Sequence, residues 1–238
     1  MNFNDPKDLK SSLYKIKDFD KLDPFLIAIN SPYDHWMYIS STGCLTAGRQ
    51  KPEYSIFPYV TDDILHRNNH FTGPVTIIKV KSEKKNVIWY PFSDRYREFD
   101  KQRNLYKNSL GNVFLIEEVN RTLKLTFHYS WHSSKEYGFI RKAYLINDSD
   151  NDIDVELIDG FRNLMPSGVE LRTQQEMSNL ANAYKVSEFD EKLNCSFHYL
   201  NALLMDKPQP GENLYANIAW SHSISINKVS VNEKVIEK

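Results

Sequence analysis

The chain has 238 residues, of which 41% are hydrophobic and 13% aromatic, and its 30 basic and 31 acidic residues leave a net charge of −1. This length is enough for one large hydrophobic core or two small ones, and the aromatic content favours β-strands. The balanced charge excludes the strongly basic surface of a nucleic-acid-binding protein or a polybasic membrane anchor.

The N-terminal sequence and the cysteines indicate the compartment. Residues 1–25 are interpreted as a lead-in segment whose first dozen residues favour a helix. They lack the apolar stretch of a signal peptide, and no apolar run in the chain is long enough to span a bilayer. Cys44 and Cys195 are too few for a disulfide scaffold and fit unpaired thiols in a reducing compartment. We therefore expect a cytoplasmic protein with neither a membrane nor a nucleic-acid partner.

Residues 26–238 read as one large β domain, because short apolar and aromatic runs alternate with polar turns and predict about ten strands. The clearest runs, in chain order, are VTIIKV (75–80), NVIWYPF (86–92), NVFLIEEV (112–119), TLKLTFHYSW (122–131), YGFIRKAYLIN (137–147), IDVELIDGF (153–161), LNCSFHYL (193–200) and LYANIAW (214–220). Only residues 172–185 and the N-terminus favour helix. Without alternating strands and helices, a dinucleotide-binding fold is excluded and antiparallel sheets packed as a sandwich are predicted.

The run at 122–131 has the strongest periodicity in the chain. Apolar and polar residues alternate strictly along it, which predicts a strand with one buried and one solvent-facing side. The buried side would carry Leu123, Leu125, Phe127, Tyr129 and Trp131, and the solvent side Lys124, Thr126, His128 and Ser130.

The stretch STGCLTAGR (41–49) first resembles a phosphate-binding loop, since Gly43 and Gly48 have the spacing of that motif. Arg49 and Gln50, however, stand where the motif requires Lys and Ser or Thr, and no βα unit surrounds them. The stretch is instead predicted to be a tight hairpin whose glycines supply positive φ, with Cys44 as a small core residue.

Metal binding is not predicted. Asp148, Asp150 and Asp152 alternate as in a calcium loop, but Ile153 stands where an EF-hand needs glycine. That segment is interpreted as a solvated hairpin tip, because Asn and Asp are favoured in turns. No Cys and His cluster has zinc spacing, and no cofactor motif is found.

Three segments concentrate Tyr, Trp, Arg and Asp near predicted loops: residues 31–40, 49–63 and 87–99. Flat aromatic faces beside charged hydrogen-bonding groups are what a sugar-binding surface requires. Most of these aromatics are nevertheless expected in the core. Trp36 and Tyr38, two residues apart, are predicted to share the buried face of one strand.

Residues 34–63, VIWYPF at 87–92 and residues 139–166 together resemble the N-terminal β-supersandwich domain of cellobiose and chitobiose phosphorylases, in glycoside hydrolase family 94. The resemblance covers about residues 30–220. The matching features are Gly43 with Arg49, the segment Tyr54–Tyr59, Trp89, and Arg141–Leu157. It implies an all-β, antiparallel, galactose mutarotase-like supersandwich with one or two short helices.

The resemblance also implies a function. It makes this chain the non-catalytic front module of a longer glycoside phosphorylase or hydrolase, packed on a catalytic (α/α)6 barrel and contacting an oligosaccharide, in an enzyme of a dimeric type. No catalytic residue and no cofactor are then expected here. The residues expected at the sugar-side rim are His35, Arg49, Tyr59 and Asp62, with Arg162 and Asn163 supporting a second loop.

Two alternatives stay open at this stage. The chain could be a self-sufficient sugar mutarotase or epimerase, which requires a histidine and a glutamate for acid–base work, and the sequence alone assigns no such pair. It could also be an interaction module whose aromatic residues bind another protein.

Overall fold

The computed structural model describes residues 10–67, 71–81, 86–93, 98–202 and 215–232. Within these ranges it contains fifteen strands and three short α-helices. The strands are β1 (Tyr14–Lys17), β2 (Leu26–Ile29), β3 (His35–Ser40), β4 (Leu45–Arg49), β5 (Ser55–Phe57), β6 (Gly73–Val80), β7 (Val87–Trp89), β8 (Lys101–Lys107), β9 (Phe114–Asn120), β10 (Leu125–Ser134), β11 (Gly138–Asn147), β12 (Val155–Arg162), β13 (Lys185–Asp190), β14 (Cys195–Leu200) and β15 (Asn217–Trp220). The helices are α1 (Asp62–Arg67), α2 (Leu171–Glu176) and α3 (Ser178–Tyr184), with 3₁₀ turns at Phe19–Lys21 and Pro52–Tyr54.

All described strand pairs are antiparallel, which confirms the predicted all-β antiparallel fold. A five-stranded sheet has the order β1-β8-β9-β10-β11, and a four-stranded sheet the order β2-β3-β4-β5. Two three-stranded sheets have the orders β12-β6-β7 and β13-β14-β15. The predicted lead-in segment contributes β1 to the largest sheet, while most of its expected helix lies outside the described residues.

The predicted hairpins are present, with two differences. β6 pairs with β7, β9 with β10, and β14 with β15, as expected from their sequences. The segment 148–154, expected as a hairpin tip, instead connects β11 to β12 in a different sheet. The helical segment 172–185 is divided at Met177, whose backbone φ of −134° ends α2 and begins α3.

The main core lies between the five-stranded sheet and the sheets that contain β2–β5 and β6–β7. Its buried members include Met37, Phe57, Trp89, Phe114 and Phe127, each at most 2% exposed. Burying one large apolar side chain stabilises a fold by about 1.5–3 kcal/mol, so this cluster is the main source of stability.

Strand β10 differs from its prediction because both of its faces are buried. Thr126, His128 and Ser130, expected on the solvent side, are 6%, 1% and 1% exposed. The N-terminal turn at residues 10–13 lies over the outer face of this sheet, where Leu13 packs against Tyr106, Val113 and Leu115. Sequence periodicity separates two faces of a strand, but it does not show that a distant segment covers one of them.

Burial is uneven along the chain. Of the 27 buried hydrophobic residues in the described ranges, only Met165, Val169 and Ala181 come after Trp131. By contrast, 12 of the 22 exposed large hydrophobic residues lie beyond that point. Five consecutive residues of β12, from Val155 to Asp159, are exposed. The second half of the chain therefore carries much apolar surface that this domain leaves uncovered.

Candidate functional site

The hairpin of β3 and β4 presents aromatic side chains on its outer face. Along β3, His35, Met37 and Ile39 are buried, whereas Trp36 is half-buried and Tyr38 is 38% exposed. Successive side chains on a strand point to opposite faces, so Trp36 and Tyr38 share the outer face. The prediction that these two residues share the buried face is therefore wrong.

Gly48 of the STGCLTAGR stretch explains the position of Trp36. The two residues are directly opposite each other across β3 and β4. A Cβ at Gly48 would lie 2.5 Å from Cζ2 of Trp36 and 2.8 Å from the backbone of Ser55. Gly48 is thus required by close approach within a strand and not by positive φ. Gly43, by contrast, has a φ of 102° at the hairpin turn, as predicted.

Tyr59, which is half-buried, completes this aromatic group. Its ring lies edge-on to Trp36, with 5.4 Å between ring centroids, and Trp36 lies 6.4 Å from Tyr38. The Tyr59 backbone N–H donates to Oε1 of Gln174 at 2.9 Å, which ties this segment to α2. We call Trp36, Tyr38 and Tyr59 the aromatic ledge. Aromatic faces of this kind stack against apolar ring surfaces of a ligand.

Asp62 follows the aromatic ledge three residues after Tyr59, at the first position of α1. It is exposed, and its Oδ1 accepts a hydrogen bond from the backbone N–H of Asp63 at 3.0 Å. A carboxylate at the start of a helix is favoured by the unpaired N–H groups there. Asp62 retains acceptor capacity beyond that single bond, because an ionised carboxylate accepts several.

Arg49 ties the two ends of the β3–β4 hairpin together. Its Nε and Nη2 donate to Oδ1 of Asp34 at 3.1 and 3.0 Å, and Gln50 adds a bond at 3.0 Å. Desolvation alone would raise the pKa of Asp34, but the hydrogen bonds from Arg49 and Gln50 outweigh it and lower the pKa. The Arg49 guanidinium is therefore already paired with Asp34, at the end of the hairpin away from its turn.

His35 faces the core and not the aromatic ledge. It is 7% exposed, its ring centroid lies 5.0 Å from that of Phe139, and neither ring nitrogen has a hydrogen-bond partner. Desolvation, together with the nearby Arg49 charge, lowers its pKa, so the ring is neutral at pH 7. Among the four expected rim residues, His35 and Arg49 are register partners at one end of the hairpin.

Arg162 and Asn163 lie at the other end of this hairpin. Arg162 lines a cavity with Gly43, Tyr90 and Tyr129, and Asn163 has a left-handed backbone with a φ of 57°. His35 is five residues from the turn end of β3, a distance of roughly 17 Å at 3.3 Å per residue. Of the four expected rim residues, Tyr59 belongs to the aromatic ledge and Asp62 is close to it in sequence. Arg162 and Asn163, expected to support a second loop, lie apart from His35 and Arg49.

A second group, which the sequence did not reveal, crosses the five-stranded sheet on its outer face. Asn104, Glu117, His128 and Tyr144 are successive register partners on β8, β9, β10 and β11, and we call them the polar row. Glu117 and His128 are 4% and 1% exposed. The pair of glutamates within the apolar run FLIEEV was the one sequence signal that could have pointed here.

Hydrogen bonds in the polar row converge on Glu117. Its Oε1 accepts from Asn104 Nδ2 at 3.0 Å and from the Tyr106 hydroxyl at 2.8 Å, and its Oε2 accepts from the Lys10 ammonium. Desolvation would raise the pKa of Glu117, but these donors, with Lys10 first, outweigh it and lower the pKa. Asn104 Oδ1 and both ring nitrogens of His128 have no hydrogen-bond partner in the described chain. Desolvation lowers the pKa of His128 to about 4.

No model of a known protein family matches the chain, and no curated protein matches it. Among the described residues, no three His, Cys, Asp or Glu side chains lie together as a metal site. No helix in the described ranges is both long and apolar enough to cross a membrane.

Proposed function

We propose that this chain is a non-catalytic sandwich domain of a cytoplasmic carbohydrate-active enzyme of the glycoside phosphorylase or hydrolase type. In this proposal the domain contacts an oligosaccharide through the aromatic ledge and packs against a helical catalytic barrel. The observation that carries the sugar contact is the outward-facing group of Trp36, Tyr38 and Tyr59. No catalytic role is assigned to any residue of this chain.

The chemistry of the aromatic ledge supports a saccharide ligand. Sugar rings present flat C–H faces that stack on aromatic side chains, while their hydroxyl groups need hydrogen-bond partners at the edge. Asp62, exposed and three residues beyond Tyr59, offers carboxylate oxygens for such hydroxyls. Trp36 is fixed in place because its indole lies against Gly48, so it loses little conformational freedom when a ligand binds.

The surface of the second half of the chain supports packing against another domain. Ile158, Ile218 and Trp220 are 49%, 50% and 52% exposed. Exposed apolar surface of this extent is typical of protein interfaces. A helical barrel that covered β12 and β15 would bury these side chains, while Trp36 and Tyr38 of the aromatic ledge lie on the four-stranded sheet, which contains neither strand.

Tryptophan fluorescence tests the sugar contact with a matched pair of variants. Trp89 and Trp131 are 0% and 2% exposed, so only Trp36 and Trp220 can respond directly to a ligand at the surface. We expect cellobiose, diacetylchitobiose or maltose to change the fluorescence of the wild-type protein and of Trp220→Phe, but not of Trp36→Phe. Tyr38→Ala and Tyr59→Ala should each weaken binding about 2- to 10-fold, the worth of one aromatic contact.

Two outcomes would contradict the proposal. One is the absence of any response to this panel of saccharides in the wild-type protein. The other is a response that is lost in Trp220→Phe and kept in Trp36→Phe, which would place the ligand at Trp220 on β15 and not at the aromatic ledge. Circular dichroism of both variants checks that the replacements leave the fold intact.

A further inference from the structure

The polar row contains buried polar atoms whose hydrogen-bonding capacity is unused. Asn104 Oδ1 is an open acceptor, and the neutral His128 ring offers one donor and one acceptor. Buried polar atoms are normally paired, because leaving them unpaired costs free energy. Three such atoms beside one carboxylate, that of Glu117, indicate a place built to receive hydrogen bonds from another molecule.

Lys10 already shows which chemistry this place accepts. Its ammonium donates to Glu117 Oε2 and lies 5.8 Å from the centroid of the Tyr106 ring. A carboxylate and an aromatic face together are the usual partners of an ammonium group. Lys10 comes from a segment 107 residues away from Glu117 in sequence. In the described structure its ammonium occupies the position that we assign to the ligand.

The segment that carries Lys10 leads into the edge strand of the five-stranded sheet. All four side chains of β1 are exposed, with Tyr14 at 72%, and β1 is an edge strand held by backbone pairing to β8. Leu13 packs on the underlying Tyr106 and Leu115, and the Lys15 ammonium also lies over the Tyr106 ring. We call residues 10–17 the N-terminal strap. Its displacement would uncover the polar row without disturbing the main core on the other face of the sheet.

We propose that the polar row is a binding site for a ligand that carries a primary ammonium beside hydroxyl groups, such as an amino sugar, which takes the place of Lys10. The ligand ammonium binds Glu117 against the Tyr106 ring. The adjacent hydroxyls donate to Asn104 Oδ1 and exchange hydrogen bonds with His128. This site is separate from the aromatic ledge, and the inference does not depend on a sugar binding there.

The charge of the site favours this class of ligand over its alternatives. An anion would face the buried Glu117 carboxylate and be repelled. A neutral sugar that displaced Lys10 would leave the same carboxylate without a counter-charge in a buried position, which is strongly unfavourable. Only a cationic ligand can break the ion pair between Lys10 and Glu117 and form a new ion pair with Glu117 in its place.

Isothermal titration with glucosamine and glucose tests the proposal on the whole chain. Lys10→Met keeps the aliphatic stem and removes the competing ammonium, so we expect it to bind glucosamine at least 10-fold more tightly than the wild-type protein. Glucose should bind Lys10→Met at least 10-fold more weakly than glucosamine. The matched control is Lys79→Met: the Lys79 ammonium also pairs with a glutamate, Glu156, at 2.8 Å, but at the surface and on a different sheet. This variant should behave as the wild-type protein.

The ring ¹⁵N signals of His128 provide a second measurement. We expect glucosamine to shift them in both the wild-type protein and Lys10→Met, and the double variant Lys10→Met/Glu117→Gln to lose the response. Binding by Lys10→Met alone, with no shift in the wild-type protein, would mean an artificial cavity and overturn the proposal. Equal affinity for glucose and glucosamine, or unshifted His128 signals, would overturn it as well. A response to cellobiose at Trp36 has no bearing on these results.

Discussion

The two halves of this chain use the same kind of strand in different ways. Residues 26–131 contain nearly all of the buried hydrophobic side chains, and their strands are covered on one or both faces. Residues 138–232 pair just as regularly, yet β12, β14 and β15 stay partly exposed. Backbone pairing alone therefore does not bury a strand. The first half therefore supplies most of the buried apolar area that stabilises the fold, and the second half supplies most of the exposed apolar surface.

Two glutamates, Glu118 in the first half and Glu156 in the second, show the same contrast in burial. Glu118 is fully buried, and it accepts hydrogen bonds from Trp89 Nε1 at 2.7 Å, Phe92 N at 2.8 Å and Arg103 Nε at 2.7 Å. Glu156, on β12, pairs with Lys79 and Lys81 at the surface, at 2.8 and 3.1 Å. Both carboxylates are paired at similar distances, but only Glu118 is isolated from water. Any difference in stability between variants of these two glutamates therefore reflects their burial and not the distances to their partners.

The largest expected effect is that of Glu118→Ala. It leaves the Arg103 guanidinium and the Trp89 N–H without their buried acceptor, so we expect the free energy of unfolding to fall by about 3–5 kcal/mol. Glu156→Ala is the matched control and should change it little, because water replaces the lost partners. Denaturant unfolding of the two variants measures both values. If both variants lost a similar free energy of unfolding, the proposed difference in burial between the two halves would be contradicted.

An intermediate effect is expected from pH. The pKa of His128 is about 4 in the folded chain and 6.5 when unfolded, so between these values only the unfolded chain takes up the proton. Stability is therefore fully present above pH 6.5 and falls as pH decreases to about 4. One such histidine contributes a slope of up to about 1.4 kcal/mol per pH unit.

His132 and His198, each with a pKa lowered to about 4 by desolvation, act in the same direction. Unfolding measured at pH 7, 6 and 5 should show a shallower decline for His128→Asn than for the wild-type protein. His222→Asn, at an exposed position in the second half, is the control and should leave the slope unchanged. An unaltered slope in His128→Asn would place the proton uptake elsewhere.

The smallest expected effect is a difference in the rate at which the two cysteines react with a thiol reagent. Cys44 is 0% exposed, and burial raises the pKa of its thiol to about 11, so it should resist a thiol reagent in the folded chain. Cys195 is half-buried on β14, opposite Trp220, and should react first. Mass spectrometry after brief labelling identifies the modified residue.

The same reaction tests the proposed packing surface. If a helical barrel covers β12 and β15, labelling of Cys195, the register partner of Trp220 on β15, should slow at least 10-fold when that domain is present. Labelling at the same rate with and without the barrel would count against packing on this side. Labelling of Cys44 before Cys195 would instead contradict the contrast in burial between the two halves.

Much of the fold could be predicted from local patterns. The alternation at 122–131, the paired apolar runs and the polar turns between them predicted antiparallel strands, and Cys44 is in the core as expected. The candidate sites were less predictable. Trp36 and Tyr38 were assigned to the wrong face, because alternation defines two faces of a strand but does not say which one meets the core.

By itself, then, the sequence determined the strands, their hairpins and the all-β class, because these depend on periodicity and turn chemistry within a few residues. Only the tertiary structure decided which faces are buried and which side chains meet. Lys10 reaches Glu117 across 107 residues, and Gly48 makes room for Trp36 from a neighbouring strand. Such contacts depend on how the sheets are layered, which no local pattern records, because burial is set by whatever distant segment covers each face.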